Sequence, residues 1–217
     1  MLISSLFEEY DKLQKIYGDK NLDAICGGGN FDHPKICFVF MNPTARNVAS
    51  NKSWKGIKAP WIGTKQVWNM FYNLGLFSED FIREINIRKP QDWDYEFSEK
   101  VYKQVSDNSI YITNLSKATQ IDARALSNDV FKKYRELFKQ EIHEIKPEII
   151  VTFGNQVSSV LLEKNIKVSE YRKKSEIIEI YGNNYKIFPV YYPVGQGMRN
   201  IQIAREDIDW IFKTQIQ

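Results

Sequence analysis

Apolar residues recur along the chain in two rhythms, one helical and one continuous, and their alternation predicts the elements. Residues 4–17 place Leu6, Tyr10, Leu13 and Ile16 near helical spacing. The run KICFVFM (35–41) is apolar on both faces and stops at Asn42-Pro43, as a buried parallel strand does. Residues 64–75 predict a helix with Val67, Phe71 and Leu74 on one face, Thr64 as N-cap and Gly75 as its stop. A Trp- and Asp-rich loop (86–98) and a short amphipathic helix around 96–105 lead into a second buried strand, SIYITNL (109–115). Ser127 caps a long helix that carries Phe131, Tyr134, Phe138, Ile142 and Ile145 inward as far as Pro147. EIIVTFG (148–154) is a third strand, with a helix straight after it. SEIIEIY (175–181), Gly182-Asn183-Asn184 and YKIFPVYYP (185–193) read as a hairpin into the last strand. A final helix over 199–213 packs Ile203, Ile208, Ile211 and Phe212. Gly27-Gly28-Gly29 precedes a strand instead of joining strand to helix, so it reads as a turn and not as a dinucleotide fingerprint.

Strands alternating with helices imply the α/β class. The expected fold is a single three-layer αβα domain over residues 1–217, with a central, mostly parallel four-stranded sheet plus a short antiparallel hairpin strand. Such sheets bind ligands beyond the carboxyl ends of their strands. Those ends are Asn42-Pro43-Thr44, Asn114-Leu115-Ser116-Lys117, Gly154-Asn155-Gln156, and Tyr192-Pro193 running into Gly195-Gln196-Gly197-Met198-Arg199. Function has to be sought in these four loops.

Charge sharpens that choice. Lys+Arg 30 against Asp+Glu 27 leaves a net charge of only +3, so any basic surface is local. No acid occurs between Asp32 and Glu79, where Lys35, Arg46, Lys52, Lys55, Lys58 and Lys65 all lie. The stretches 108–121, 149–162 and 180–205 are acid-free too, and each holds a strand end with the loop after it. Buried strands explain part of this; the loops keep their cations, an arrangement suited to a phosphate backbone. Two cysteines, Cys26 and Cys37, and two histidines cannot build a four-cysteine metal site or an iron–sulfur cluster, so no metal and no cofactor is expected. No apolar run approaches a membrane span and the N-terminus lacks a signal-peptide core. The protein is expected to work inside the cell (cytoplasm or nucleoid, or nucleus), as a monomer.

The strand tips carry amides and hydroxyls in place of acids: Asn42, Asn114, Asn155, Gln156, Thr44, Ser116 and Gln196. Amides read bases through paired donor and acceptor bonds and can position a water, but they do not ionise substrates. A reaction with a cationic transition state, which needs little help from a base, fits this inventory. Each residue also has a plainer use. Asn42 could cap the turn before Pro43, and Asn114 could tie its strand end to a neighbouring loop. Met198 follows Gly195-Gln196-Gly197 as a lone apolar residue at a tip, either a wedge for a base stack or a residue folded onto the last helix.

Taken in order, these motifs resemble the uracil-DNA glycosylase superfamily. Phe40-Met41-Asn42-Pro43-Thr44 looks like its first motif, and Tyr111 to Lys117 is similar to its second strand, whose terminal Asn recognises the flipped base. Ile149 to Leu162 resembles the third strand and following helix, and Pro189 to Asn200 stands where the family has its last motif and DNA-entering loop. Ala59 to Trp68 looks like the loop and helix after the first motif. Tyr192-Pro193-Val194 replaces the family's His-Pro-Ser, and the cluster cysteines of its thermophilic branches are absent. Asn in the first motif is similar to the mismatch-specific and single-strand-selective branches.

The resemblance implies a monofunctional DNA glycosylase that hydrolyses the N-glycosidic bond of a flipped damaged or mispaired base, uracil first. Asn42 would direct the water, with Tyr192 at the position of the family's histidine. Asn114, Trp61, Trp54 and Met41 would hold the base, unless the tryptophans simply pack. Lys117, Gly195, Gln196, Gly197, Met198, Arg199 and Asn200 would meet the DNA. The alternative is a member that binds DNA or a nucleobase on the same fold without turnover, for which the altered Tyr192-Pro193-Val194 speaks.

Overall fold

The computed structural model describes residues 3–123 and 126–216. Six strands, β1 (Gly28–Gly29), β2 (Ile36–Phe40), β3 (Ile110–Asn114), β4 (Ile149–Phe153), β5 (Glu176–Ile180) and β6 (Asn183–Val190), form one sheet in the order β1-β3-β2-β4-β6-β5. The four central strands are mutually parallel, and β1 and β5 close the edges antiparallel. The helices are α1 (Ile3–Tyr17), α2 (Gln66–Asn73), α3 (Glu79–Ile87), α4 (Tyr95–Asp107), α5 (Asn128–Ile145), α6 (Asn155–Leu162) and α7 (Ile201–Gln215).

Period-two alternation inside wholly apolar strands gives the sheet two buried faces. Ile36, Phe38 and Phe40 meet side chains of α2, α3, α4 and α7, while Cys37 and Val39 meet α5 and α6. Each buried phenylalanine contributes on the order of 1.5–3 kcal/mol. The third cluster, Leu6, Tyr10, Cys26, Ala118 and Tyr134, joins α1 to α5. The three-layer αβα arrangement is therefore as the apolar runs predicted.

Four details differ from the expectation. Gly28 and Gly29 form a strand against Ile112 and Tyr111 in an approach only glycine allows: a Cβ on Gly28 would lie 2.5 Å from the Tyr102 ring, and one on Gly29 would lie 2.3 Å from the Ile110 carbonyl oxygen. Helix α3 fills a region for which no helix was expected; Ser78 caps it by accepting from the Phe81 amide. Thr64 does not cap α2, since its hydroxyl donates to the Trp61 carbonyl (2.7 Å). The hairpin turns on Tyr181-Gly182, both at positive φ (48° and 80°) as a two-residue type I′ turn demands, one residue earlier than the Gly-Asn-Asn reading. Among the described residues no helix is long and apolar enough to cross a membrane.

An ion pair is sealed between β3 and α5. Glu141 and Lys117 are both 0% exposed, with Lys117 Nζ 2.7 Å from Glu141 Oε2. The carboxylate also accepts from Tyr10 OH (2.5 Å), Tyr111 OH (2.9 Å) and Thr113 Oγ1 (2.7 Å). The ammonium spends its remaining protons on Thr113 Oγ1 (2.6 Å) and the Asn114 carbonyl (2.5 Å). Burial, reinforced by the Glu141 charge, holds the Tyr10 and Tyr111 phenols well above their usual range, so they remain donors. Removing one member of such a pair strands the other charge in the core. Lys117→Met should therefore cost about 3–5 kcal/mol. The Lys117→Met/Glu141→Leu double variant should cost less than the two single changes added together. Urea unfolding at unchanged m-value measures both; a Lys117→Met loss under about 1 kcal/mol would show that the pair does not hold the fold.

Candidate active site

The loops after β2 and β3 are laced together by backbone bonds that continue the sheet beyond its last residues. Leu115 N donates to Phe40 O (2.8 Å), Ser116 N to Met41 O (3.0 Å), Gln120 N to Pro43 O (3.1 Å) and Ala45 N to Gln120 O (2.8 Å). Asn42 and Asn114 are thereby held at adjacent strand ends. Asn42 is half-buried, and among the described residues its side chain bonds from Nδ2 to the carbonyl of the next residue, Pro43 (3.1 Å). Its amide oxygen is left for another partner.

Asn114 is 2% exposed, and its Nδ2 has no hydrogen-bond partner. An orphaned buried donor costs roughly 1–3 kcal/mol, so its persistence needs a reason. Its backbone carbonyl is fixed by Lys117, and the register Phe40↔Asn114 puts its side chain on the Phe40 face of the sheet.

That face ends in four aromatic rings. Phe40 stacks on Phe153 (4.4 Å between centroids, 26°) and meets Trp61 (4.8 Å, 70°) and Tyr192 (6.1 Å, 88°) edge-on. Trp61 adopts φ 67°, a conformation costly for a bulky residue. Its carbonyl is clamped by the Thr64 hydroxyl and by Trp68 Nε1 (3.2 Å), while its own Nε1 is buried without a partner. Burial pushes the Tyr192 phenol well up, so it is a neutral donor at ordinary pH.

From Tyr192 the chain passes buried Pro193 and Val194 into a 3-10 turn, Gly195–Asn200, before α7. Gly195 has φ 59° and its amide meets Gln66 Oε1 (3.3 Å). Gly197 lies so close that a Cβ there would stand 2.0 Å from the Tyr192 carbonyl oxygen. Met198 is 42% exposed and Arg199 is exposed. Asn200 precedes α7 without a side-chain cap bond. The Gln196 side chain lies outside the described residues.

Several sequence-based assignments change. Lys117 cannot reach a phosphate, because its whole side chain is sealed against Glu141. Met41 packs on the Cys37–Val39 side of the sheet, opposite Trp61, and so does not join the aromatic group. Trp54 spends its indole N–H on the Ile57 carbonyl (3.0 Å), and none of the described ring contacts joins it to Phe40, Trp61 or Tyr192. Asn155 and Gln156 are also committed, to the Val168 amide and to Leu126 O and Asn128. Among the loop cations, Lys58 pairs with Asp23 (2.8 Å) and Lys52 donates to Lys20 O, whereas Arg46 and Lys55 are exposed.

Glu141 escaped the sequence reading, although its signal was there: it falls three residues after Phe138 and four before Ile145, inside the buried stripe of α5. A concavity of about 1170 Å³ opens on the β1 flank, between α1, α4 and residues 52–59. None of Asn42, Asn114, Trp61 or Tyr192 lines it, and its wall mixes acids with lysines. Among the described residues no group of three or more His, Cys, Asp or Glu could hold a metal ion.

Comparison with known proteins agrees with this geometry. The model of the uracil DNA glycosylase superfamily matches residues 26–209. A type-4 uracil-DNA glycosylase of Saccharolobus solfataricus is 31% identical over 93 residues, which cover 41% of this chain and 43% of that protein. The match thus spans less than half of that curated relative. From the first strand, where the family match begins, to the last helix, where it ends, the chain belongs to the uracil-DNA glycosylase superfamily.

Proposed function

We propose that the chain, acting as a single domain, is a monofunctional DNA glycosylase that hydrolyses the N-glycosidic bond of a base turned out of DNA, with uracil as the preferred base. The observation that carries this reading is the Asn114 amide: buried, unpartnered, and locked at its backbone by Lys117. An amide offers one donor and one acceptor side by side, and the uracil edge presents acceptor O4 beside donor N3. Trp61 supplies the ring face for stacking, the commonest way an extruded base is held.

In this scheme the C1′–N1 bond breaks with its electron pair going to the base, whose negative charge spreads over its carbonyl oxygens. Asn114 Nδ2 donates to O4, and the neutral Tyr192 hydroxyl donates to the base or sugar as charge develops. The sugar becomes oxocarbenium-like, stabilised by the DNA's own phosphates. The Asn42 amide oxygen accepts a hydrogen bond from a water and aims the water's oxygen at C1′. As the C1′–O bond forms, the water keeps one hydrogen as the new C1′ hydroxyl; the amide takes up no proton, so the one proton released passes to the departing base anion or to solvent. Met198 enters the space left in the stack, and Arg199, Arg46 and Lys55 meet phosphates. Turning the base out costs a few kcal/mol, least for a mispaired one. A member that binds without turnover is the second reading; Tyr192-Pro193-Val194 in place of the family's His-Pro-Ser favours it. Oligonucleotides carrying uracil opposite each base, followed by alkali to reveal abasic sites, separate the two.

Asn42→Ala should lower single-turnover excision by about 10²–10³ while leaving DNA affinity within a few-fold, since its contact matters in the transition state. Unchanged excision would remove Asn42 from the mechanism. Asn114→Asp replaces a donor by a second acceptor and should shift the uracil-to-cytosine rate ratio toward cytosine by about 1–3 kcal/mol. A lower melting temperature with the same ratio would make Asn114 merely structural. If three cations meet phosphates, log K for duplex DNA should fall against log[salt] with a slope of about −2.7; an affinity indifferent to salt would exclude this face.

A further inference from the structure

We infer that the Phe40 side chain occupies the space in which the base is read, so that it holds a pyrimidine-sized site closed until a base displaces it. This inference rests on the base-reading role proposed for Asn114 and Trp61. Phe40 and Asn114 are Cα partners on adjacent parallel strands, so their side chains stand together on one face. The Phe40 ring lies 4.8 Å from Trp61, within direct ring contact, which leaves no room for a third ring between them. It stacks flat on Phe153 (4.4 Å), as a bound base would on an aromatic platform.

Two orphaned donors belong to the neighbours of that ring. Asn114 is the strand partner of Phe40 and Trp61 its ring contact, and Asn114 Nδ2 and Trp61 Nε1 are both covered from solvent without a partner. A phenyl ring carries no acceptor and satisfies neither. A pyrimidine of the same six-membered footprint would bring a carbonyl oxygen to the volume, the acceptor that Asn114 Nδ2 lacks. The site as folded is therefore short of a ligand and filled by a surrogate without polar atoms. Phe40 sets specificity by size, since the space one phenyl vacates is that of one six-membered ring. It also weakens apparent affinity, because only the fraction of molecules with the ring displaced can bind.

The test is calorimetric titration of free uracil into the wild type, Phe40→Leu and Phe40→Leu/Asn114→Ala, with uracil excision from an oligonucleotide measured alongside. Phe40→Leu keeps most of the core volume while removing the flat ring. It should bind uracil about tenfold tighter or more, and the added Asn114→Ala change should abolish the gain. Equal or weaker binding by Phe40→Leu, in a protein that still excises uracil, would overturn the role of Phe40 and leave the base-reading site standing. A gain that survives loss of Asn114 would likewise overturn it. If neither wild type nor Phe40→Leu binds or excises uracil, the site reading falls and this inference with it. Should Phe40→Leu not fold, a crystal of the wild type soaked in uracil decides: the ring turned away supports the inference, and uracil bound at Asn114 with the ring in place refutes it.

Discussion

The Lys117–Glu141 pair is the interaction on which the rest of the structure turns. It lies at the crossing of three otherwise separate pieces, with Tyr10 reaching it from α1, Glu141 from α5, and Tyr111 and Thr113 from β3. Taking both charges out of water is expensive, and the expense is offset only because every proton of the ammonium finds an oxygen and the carboxylate oxygens accept from several donors. Such a network tolerates one geometry. It therefore fixes the β3 end, including the carbonyl of Asn114, more tightly than apolar packing would.

The neighbouring strand end inherits that precision through the backbone bonds joining residues 40–45 to 115–120. Two asparagines and a tryptophan in a left-handed conformation are held on this scaffold without contributing much to it. Trp61 is strained and Asn114 unsatisfied, while the groups that brace them, Trp68, Thr64 and Lys117, are well bonded. Stability and chemistry are divided between different residues at the same strand tip.

The sheet was legible in the sequence because its strands are buried on both faces, and a run such as ICFVF admits few other placements. Caps at Ser127 and stops at Pro147 worked for the same local reason. Legibility failed where a residue's use depends on distant neighbours. Gly28 and Gly29 look like a turn until the Tyr102 ring and the Ile110 carbonyl are seen crowding them. Lys117 in an acid-free loop looks like a phosphate ligand, and only the return of α5 with Glu141, 24 residues later, makes it a core residue. Trp54 and Trp61, seven residues apart, read alike in sequence; one donates its indole N–H within its own loop and the other keeps it unspent. Phe40 reads as one more apolar residue of β2, and its neighbours alone give it meaning.

The close approach of Gly197 to the Tyr192 carbonyl has a mechanical consequence. Loop tip and strand end touch backbone to backbone, without a side chain to act as a spring between them. Any displacement of the Gly195–Asn200 turn toward the sheet is passed directly to the peptide that carries the Tyr192 phenol, and through that ring to Phe40. Any side chain at position 197 would wedge the two backbones apart, so the contact between loop tip and strand end is reserved for glycine.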